Sequence, residues 1–157
     1  MPTQKKIQQM KAGQIYRNPF PTTDLLLEYD NGTKKGLVLI ERKNHPYGWA
    51  LPGGFAEWGI SLGENAIKEG LEETGLEVRL IDSEERPFCV KSAPERDPRG
   101  HMISIAYRAT GYGILKAGDD AKNARICDDD ELRRLVKNNG LAFDHGEIVQ
   151  KYLDAKR

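Results

Sequence analysis

The chain has 157 residues, with 24 basic and 24 acidic side chains and no formal net charge, which suits one globular domain and excludes the basic excess of a dedicated nucleic-acid binder. Its longest apolar runs, such as Leu37-Val38-Leu39-Ile40, meet charge long before the roughly 18 residues of a membrane span, and MPTQKKIQQM has no apolar run after its basic patch to make a secretory signal. Cys89 and Cys127 are too few for a disulfide framework and lack metal-ligand spacing, so the expected setting is the reducing cytoplasm, with a small-molecule ligand, no nucleic acid and no membrane.

In chain order, residues 1–17 read as a lead-in, either flexible or an edge strand. Residues 22–29 (TTDLLLEY) are β-rich, and an Asp30-Asn31-Gly32-Thr33 turn leads to a partner strand over Lys35–Arg42, a candidate hairpin. Residues 44–54 read as a Gly- and Pro-rich loop holding Tyr47 and Trp49. Helical periodicity covers Leu62–Thr74, with Ser61 and Glu64 as a capping box and Gly75 as the C-terminal stop. Two β segments, residues 77–91 and 101–112, flank the polar turn SAPERDPRG. Past a Gly-Asp-Asp turn, AKNARI is assigned to no element. Asp128 opens a short helix to Val136, with Glu131 completing a capping box, and Asn138-Asn139-Gly140 ends it. The last helix is expected to start at Asp144 as N-cap, with Glu147 completing its box and Phe143 stapled to Ile148. Alternating β and helical stretches without a repeat or linker predict a single mixed α/β domain over residues 1–157.

The segment from Gly53 to Leu76 carries the chemistry. Glu69, Glu72 and Glu73 stand at i, i+3 and i+4, so a helix stacks three carboxylates on one face. Alone, such a face is most simply solvated surface, at a cost of a few tenths of a kcal/mol in repulsion. A chemical reason for it is a divalent cation held between the acids, and an oxygen-rich site suits Mg2+ or Mn2+ beside phosphate. Gly53 and Gly54 let backbone approach that metal closely and offer it a carbonyl. A metal-activated water could then attack a bound pyrophosphate.

The order of these residues resembles the Nudix box. Gly54 begins it, and Glu69, Glu72, Glu73, Gly75 and Leu76 fall in their expected places over 23 residues. The resemblance implies a Nudix fold, a mixed β-sheet sandwiched between helices. It also implies that Glu69, Glu72 and Glu73 bind metal together with the Gly53 carbonyl, converging beside Gly53-Gly54. Glu57 then either supports a metal-bound water or is a solvated loop acid. Three positions depart from the box: Ile60 replaces its first Glu, Lys68 its Arg and Gly70 its aliphatic residue. Ile60 and Lys68 lose a bracing ion pair. Gly70, at about 1 kcal/mol of helix propensity against Ala and about as much again for an absent aliphatic contact if the site is buried, predicts a looser platform on which turnover survives, weakened.

Outside the box, FPTTDLLLEY, GLVLIERKNHPYGWALPGGFAE, RDPRGHMISIAY, AGDDAKNARI and LAFDHGEIV are similar to the small ADP-ribose pyrophosphatase branch. That likeness implies hydrolysis of ADP-ribose to AMP and ribose 5-phosphate, and a homodimer. Alternatives are a Nudix hydrolase of nucleoside triphosphates or dinucleoside polyphosphates, or a weakened Nudix-fold ligand-binding module. Arg42, followed by Lys43, either points a cation at the pyrophosphate or ends a strand in solvent. Arg99, in a Pro-Arg-Gly turn, either grips phosphate or pairs internally near Asp97. Phe20 and Trp49, with Tyr47, are candidate adenine-stacking residues and equally ordinary packing aromatics. Gly54 would lie against the substrate. His45, His101 and His145 form no metal motif. The general base stays open among Glu57, Glu73, Asp119, Asp120 and residues 128–131.

Overall fold

The computed structural model describes residues 17–118 and 121–156. The expectations for residues 1–16, and for Asp119 and Asp120, lie outside the described residues. The rest folds into β1 (Phe20–Asp30), β2 (Lys35–Arg42), β3 (Gly48–Ala50), β4 (Gly53–Phe55), α1 (Leu62–Thr74), β5 (Glu77–Leu80), β6 (Cys89–Lys91), β7 (Met102–Tyr112), β8 (Ala121–Cys127), α2 (Asp129–Lys137) and α3 (His145–Ala155).

The strands form one mixed sheet ordered β3-β2-β1-β7-β5, with β4 also on β1, β6 on β7 and β8 on β2. β1 and β7 run parallel from Phe20↔Met102 to Glu28↔Thr110, and the other pairs are antiparallel. One edge of β1 forks: residues 28–30 pair with β2, and residues 22–24 pair with β4. That fork seats Gly54 opposite Thr23 and Gly53 opposite Asp24.

The uninterrupted Leu25-Leu26-Leu27 run reflects a strand covered on both faces. Leu25, Leu27, Val38 and Ile105 pack with Ala66 of α1. Leu26, Leu37 and Leu39 pack with Leu132 of α2 and Ile148, Val149, Tyr152 and Leu153 of α3. The sheet thus lies between α1 on one side and α2 with α3 on the other, as the resemblance implies. Truncating one of these fully buried leucines to Ala would cost about 2–5 kcal/mol.

α1 begins and ends where its caps dictate. Glu64 N–H donates to Ser61 Oγ (3.2 Å), Ser61 N–H donates back to the Glu64 carboxylate (2.8 Å), and Gly75 closes the helix at φ 70°. Glu84 reinforces the start, accepting from Ser61 Oγ (2.7 Å) and Gly63 N–H (2.9 Å). The face α1 buries is Gly63, Asn65, Ala66, Gly70 and Thr74, small residues rather than a leucine stripe. The helix backbone therefore sits close on the sheet. A Cβ on Gly70 would lie 2.7 Å from Leu25 Cδ1 and 2.8 Å from Val78 Cγ2. Gly70 is thus no missing contact: Leu25 and Val78 already fill the space that an aliphatic residue would take, which corrects the expectation of a loosened platform on that account.

Other differences from the sequence reading have local causes. Residues 77–91 are two strands, β5 and β6, because the intervening chain turns at Ser83, whose carbonyl accepts from Arg86 N–H (2.9 Å). The 44–54 loop contains β3 and β4, recruited by the edges of β2 and β1. The polar AKNARI stretch is β8, held by main-chain pairing to β2. The Asp128–Glu131 capping box forms as expected. The box and staple expected at Asp144 do not. The Asp144 carboxylate is claimed by Arg96 at 3.0 and 2.6 Å, Glu147 pairs with Lys91, and Phe143 adopts φ 55°.

Gly70→Leu, which restores the box consensus, is expected to lower unfolding free energy by about 1–3 kcal/mol through overpacking. Chemical denaturation checks this; a stabilised variant would mean that α1 does not press on Leu25 and Val78.

Candidate active site

Gly53 and Gly54 bring the acidic face of α1 onto β4. Gly53 N–H donates to Glu73 Oε2 at 2.8 Å, and a Cβ on Gly54 would stand 2.5–2.8 Å from the Glu69 carboxyl atoms. Two of the three helix acids therefore converge beside the glycine pair. Glu72 does not: it points along the helix surface to Lys68 (3.3 Å), which also pairs with Glu57. The loop carrying Glu57 is tied down by Asn65, whose side chain is fully buried. Asn65 Oδ1 accepts from Glu57 N–H (3.1 Å) while Nδ2 donates to Thr23 Oγ1 (2.8 Å).

Glu57, Glu69 and Glu73 line an open cleft of about 450 Å3 together with Arg42, Lys43 and Arg99. Arg42 Nε–H donates to the Pro46 carbonyl (2.7 Å). Asp97 holds Arg99 by Nε (3.1 Å) and Nη2 (2.8 Å), so the internal ion pair considered for Arg99 exists, and the guanidinium still lines the cleft. Burial pushes Asp97 upward, but the Arg99 hydrogen bonds and charge outweigh it and hold the carboxyl below the usual carboxylate range.

Behind the cleft lies a smaller cavity of about 90 Å3 that shares Arg42, Gly53, Gly54, Phe55, Glu73 and Arg99 with it and adds Asp24, Arg96 and His145. His145 is buried, and its Nδ1 accepts from Leu51 N–H (3.0 Å). In the neutral ring the proton therefore sits on Nε2, which faces Asp24 Oδ1 at 3.5 Å. Burial lowers the His145 pKa, against the pull of Asp24, and keeps the ring neutral near pH 7. Asp24 also accepts from Ser104 Oγ.

Glu73 is the most perturbed acid. Burial pushes its carboxyl up from 4.5 to about 8; the Gly53 N–H opposes this, Glu69 and Asp24 add to it, and Arg42 opposes it. A carboxylate that resists ionisation in a cleft is a functional-site signature. Its donor set, carboxylate oxygens with excess negative charge, fits a hard divalent cation, which would relieve the cost of ionising Glu73. Among the described residues, however, no group of three or more His, Cys, Asp and Glu side chains is gathered as a metal cluster.

Among the stacking candidates, Phe20 is exposed and meets Phe55 edge-on at 6.3 Å, next to Arg99. Trp49 lies on β3 under Arg125 (4.4 Å) and lines neither cavity. The exposed Tyr47 likewise lines neither. Sequence reasoning did not single out Asp24, Phe55, Asn65, Arg96 or Phe143 as site residues. Their roles rest on contacts such as Asp24–Ser104 and Arg96–Asp144, which join residues 80 and 48 positions apart.

A NUDIX domain model matches residues 20–152. The chain is 42% identical over 151 residues to an ADP-ribose pyrophosphatase of Methanocaldococcus jannaschii, covering 94% of this chain and 81% of that protein. A solved MutT/nudix family protein from Enterococcus faecalis is 31% identical, with a TM-score of 0.69 over 95% of this chain and 67% of its own. The NUDIX domain of Shewanella oneidensis NrtR, solved with ADP ribose, has a TM-score of 0.74 at 20% identity over 96% of this chain and 98% of that one, a likeness of fold alone.

The raised Glu73 pKa makes the metal-free folded state hold a proton that the unfolded chain releases above 4.5, so this group's contribution to stability falls as pH rises from 4.5 to about 8. His145 acts oppositely below its ordinary 6.5. The difference in unfolding free energy between the native chain and Glu73→Gln isolates the first effect. In EDTA it is expected to fall between pH 5 and pH 8; a flat difference would contradict the burial of Glu73.

Proposed function

The chain belongs to the NUDIX domain family as a hydrolase related to the ADP-ribose pyrophosphatases, and from that premise we propose that it cleaves the diphosphate of ADP-ribose, or of a similar nucleoside diphosphate derivative, to AMP and ribose 5-phosphate with Mg2+ or Mn2+. The observation that carries this reading is that one cleft is lined by three carboxylates, Glu57, Glu69 and Glu73, and three cations, Arg42, Lys43 and Arg99. A diphosphate chelated to divalent cations needs both, carboxylates for the metal and guanidiniums for the outer phosphate oxygens.

Glu69 and Glu73 would hold the metal with the Gly53 carbonyl, and Glu72 would join them once its carboxylate leaves Lys68. When bound, the metal supplies charge neutralisation on the diphosphate and a lowered pKa for bound water. The chain's own residues do the rest. Gly53 N–H fixes the Glu73 carboxylate, and Asn65 fixes the main chain at Glu57. Arg42 and Arg99 orient the diphosphate for in-line attack. One P–O bond forms to water and the bridging P–O bond breaks, releasing AMP and ribose 5-phosphate, with the water proton passing to a cleft carboxylate.

A homodimer and a cytoplasmic setting belong to the same proposal, and the free thiols of Cys89 and Cys127 suit the second. Among the described residues no helix is long and apolar enough to cross a membrane.

Hydrolysis across ADP-ribose, other nucleoside diphosphate sugars, dinucleoside polyphosphates and nucleoside triphosphates, with products resolved, tests the proposal. Metal-dependent release of AMP from ADP-ribose as the preferred reaction is expected. Preference for a triphosphate or a dinucleoside polyphosphate would overturn the substrate assignment. Glu69→Gln should lower kcat by about a hundredfold or more, since it removes a charge needed only when metal is held.

A further inference from the structure

The segment between α2 and α3 reaches the small cavity through Phe143. Its neighbours are pinned on three sides. Ala142 N–H donates to the Trp49 carbonyl (2.8 Å), Leu51 N–H donates to His145 Nδ1 (3.0 Å), and Arg96 grips both oxygens of Asp144. Between these anchors Phe143 is held at φ 55°, a left-handed conformation that a bulky residue adopts only where its surroundings over-determine it. The ring lines the small cavity instead of stapling α3.

Two guanidiniums use that ring. Arg42 Cζ lies 4.8 Å and Arg99 Cζ 4.9 Å from its centroid, and Arg99 also sits 5.2 Å from the centroid of Phe55. The cations repel each other: burial, and then the charge of Arg99, lowers the Arg42 pKa. Asp97 holds Arg99 and the Pro46 carbonyl holds Arg42, but each of these bonds fixes one guanidinium alone, whereas the negative face of the Phe143 ring attracts both.

We propose that Phe143 is a positioning residue whose ring holds the Arg42 and Arg99 guanidiniums as a paired clamp for the two phosphoryl groups of a diphosphate. The inference rests on the diphosphate reading above. It adds that the clamp's geometry is set by a residue from the α2–α3 loop, so that affinity for the diphosphate depends on the aromatic character of that position as well as its bulk.

The test compares Phe143→Leu and Phe143→Met, which keep most of the volume without the π-face, with Phe143→Tyr, which keeps both. Two readouts are taken: calorimetric affinity for inorganic pyrophosphate in metal-free buffer, and KM against kcat on the best diphosphate substrate of the native enzyme. In whichever of the Leu and Met variants folds like the native chain by denaturation midpoint, pyrophosphate affinity should fall, and KM should rise, by about tenfold, with kcat within about twofold. Phe143→Tyr should stay within about twofold of the native enzyme in both. Native-like pyrophosphate affinity in a Leu or Met variant, loss in the Tyr variant, or no binding by the native chain would overturn the proposal. Pyrophosphate bound through the aromatic ring, with no diphosphate ester hydrolysed, would overturn the substrate reading and leave the clamp standing.

Discussion

The structure depends on how closely α1 lies against the forked edge of β1. Small residues line the buried side of the helix, and Gly70 among them brings its backbone down onto Leu25 and Val78 while Gly63 lies against Glu84. Gly53 and Gly54 complete the approach from the sheet side. A Cβ on Gly53 would stand 2.1 Å from the Thr23 carbonyl oxygen, whereas the three atoms nearest a Cβ on Gly54 all belong to the Glu69 carboxyl group. Everything acidic in the cleft follows from that spacing: the Gly53–Glu73 hydrogen bond, the seat of Glu69, and the desolvation that pushes Glu73 up to about 8.

The cations of the cleft are placed differently. Arg42 ends β2, Arg99 sits in the turn before β7, and Phe143 precedes α3, so three separate parts of the chain meet over one ring. Behind them Arg96–Asp144 and His145–Leu51 tie the last helix to the cleft. A helix that contributes Ile148, Val149 and Leu153 to the core thereby also fixes the loop that carries Phe143. Helix acids placed by local geometry thus share the cleft with cations placed by long-range tertiary contacts.

This contrast explains how much the sequence disclosed. Glu69 and Glu73, the glycine pair, the caps at Ser61 and Asp128 and the stop at Gly75 are local patterns, readable because helix periodicity and capping chemistry act within a few residues. The mixed α/β domain follows from alternating elements and the sandwiched sheet from the Nudix resemblance, whereas the meaning of the Leu25–Leu27 run emerges only when helices cover both faces of β1. What acts over distance was not legible. Gly70 reads as a defect in a helix considered alone and becomes a close fit only once Leu25 and Val78 lie above it. Asp144 has the type and spacing of an N-cap, and nothing nearby in sequence announces that Arg96 takes its carboxylate. β8 is polar enough to pass for a loop because its pairing with β2 is a main-chain property.

Mn2+ affinity of the native chain and of Gly54→Ala, read by calorimetry alongside denaturation midpoints, tests the central claim most directly. If the glycine pair exists to seat the Glu69 carboxylate, the added methyl should weaken Mn2+ binding by about tenfold or more while leaving the midpoint nearly unchanged, because only a side-chain end is displaced. Equal affinity in the two proteins would contradict the account.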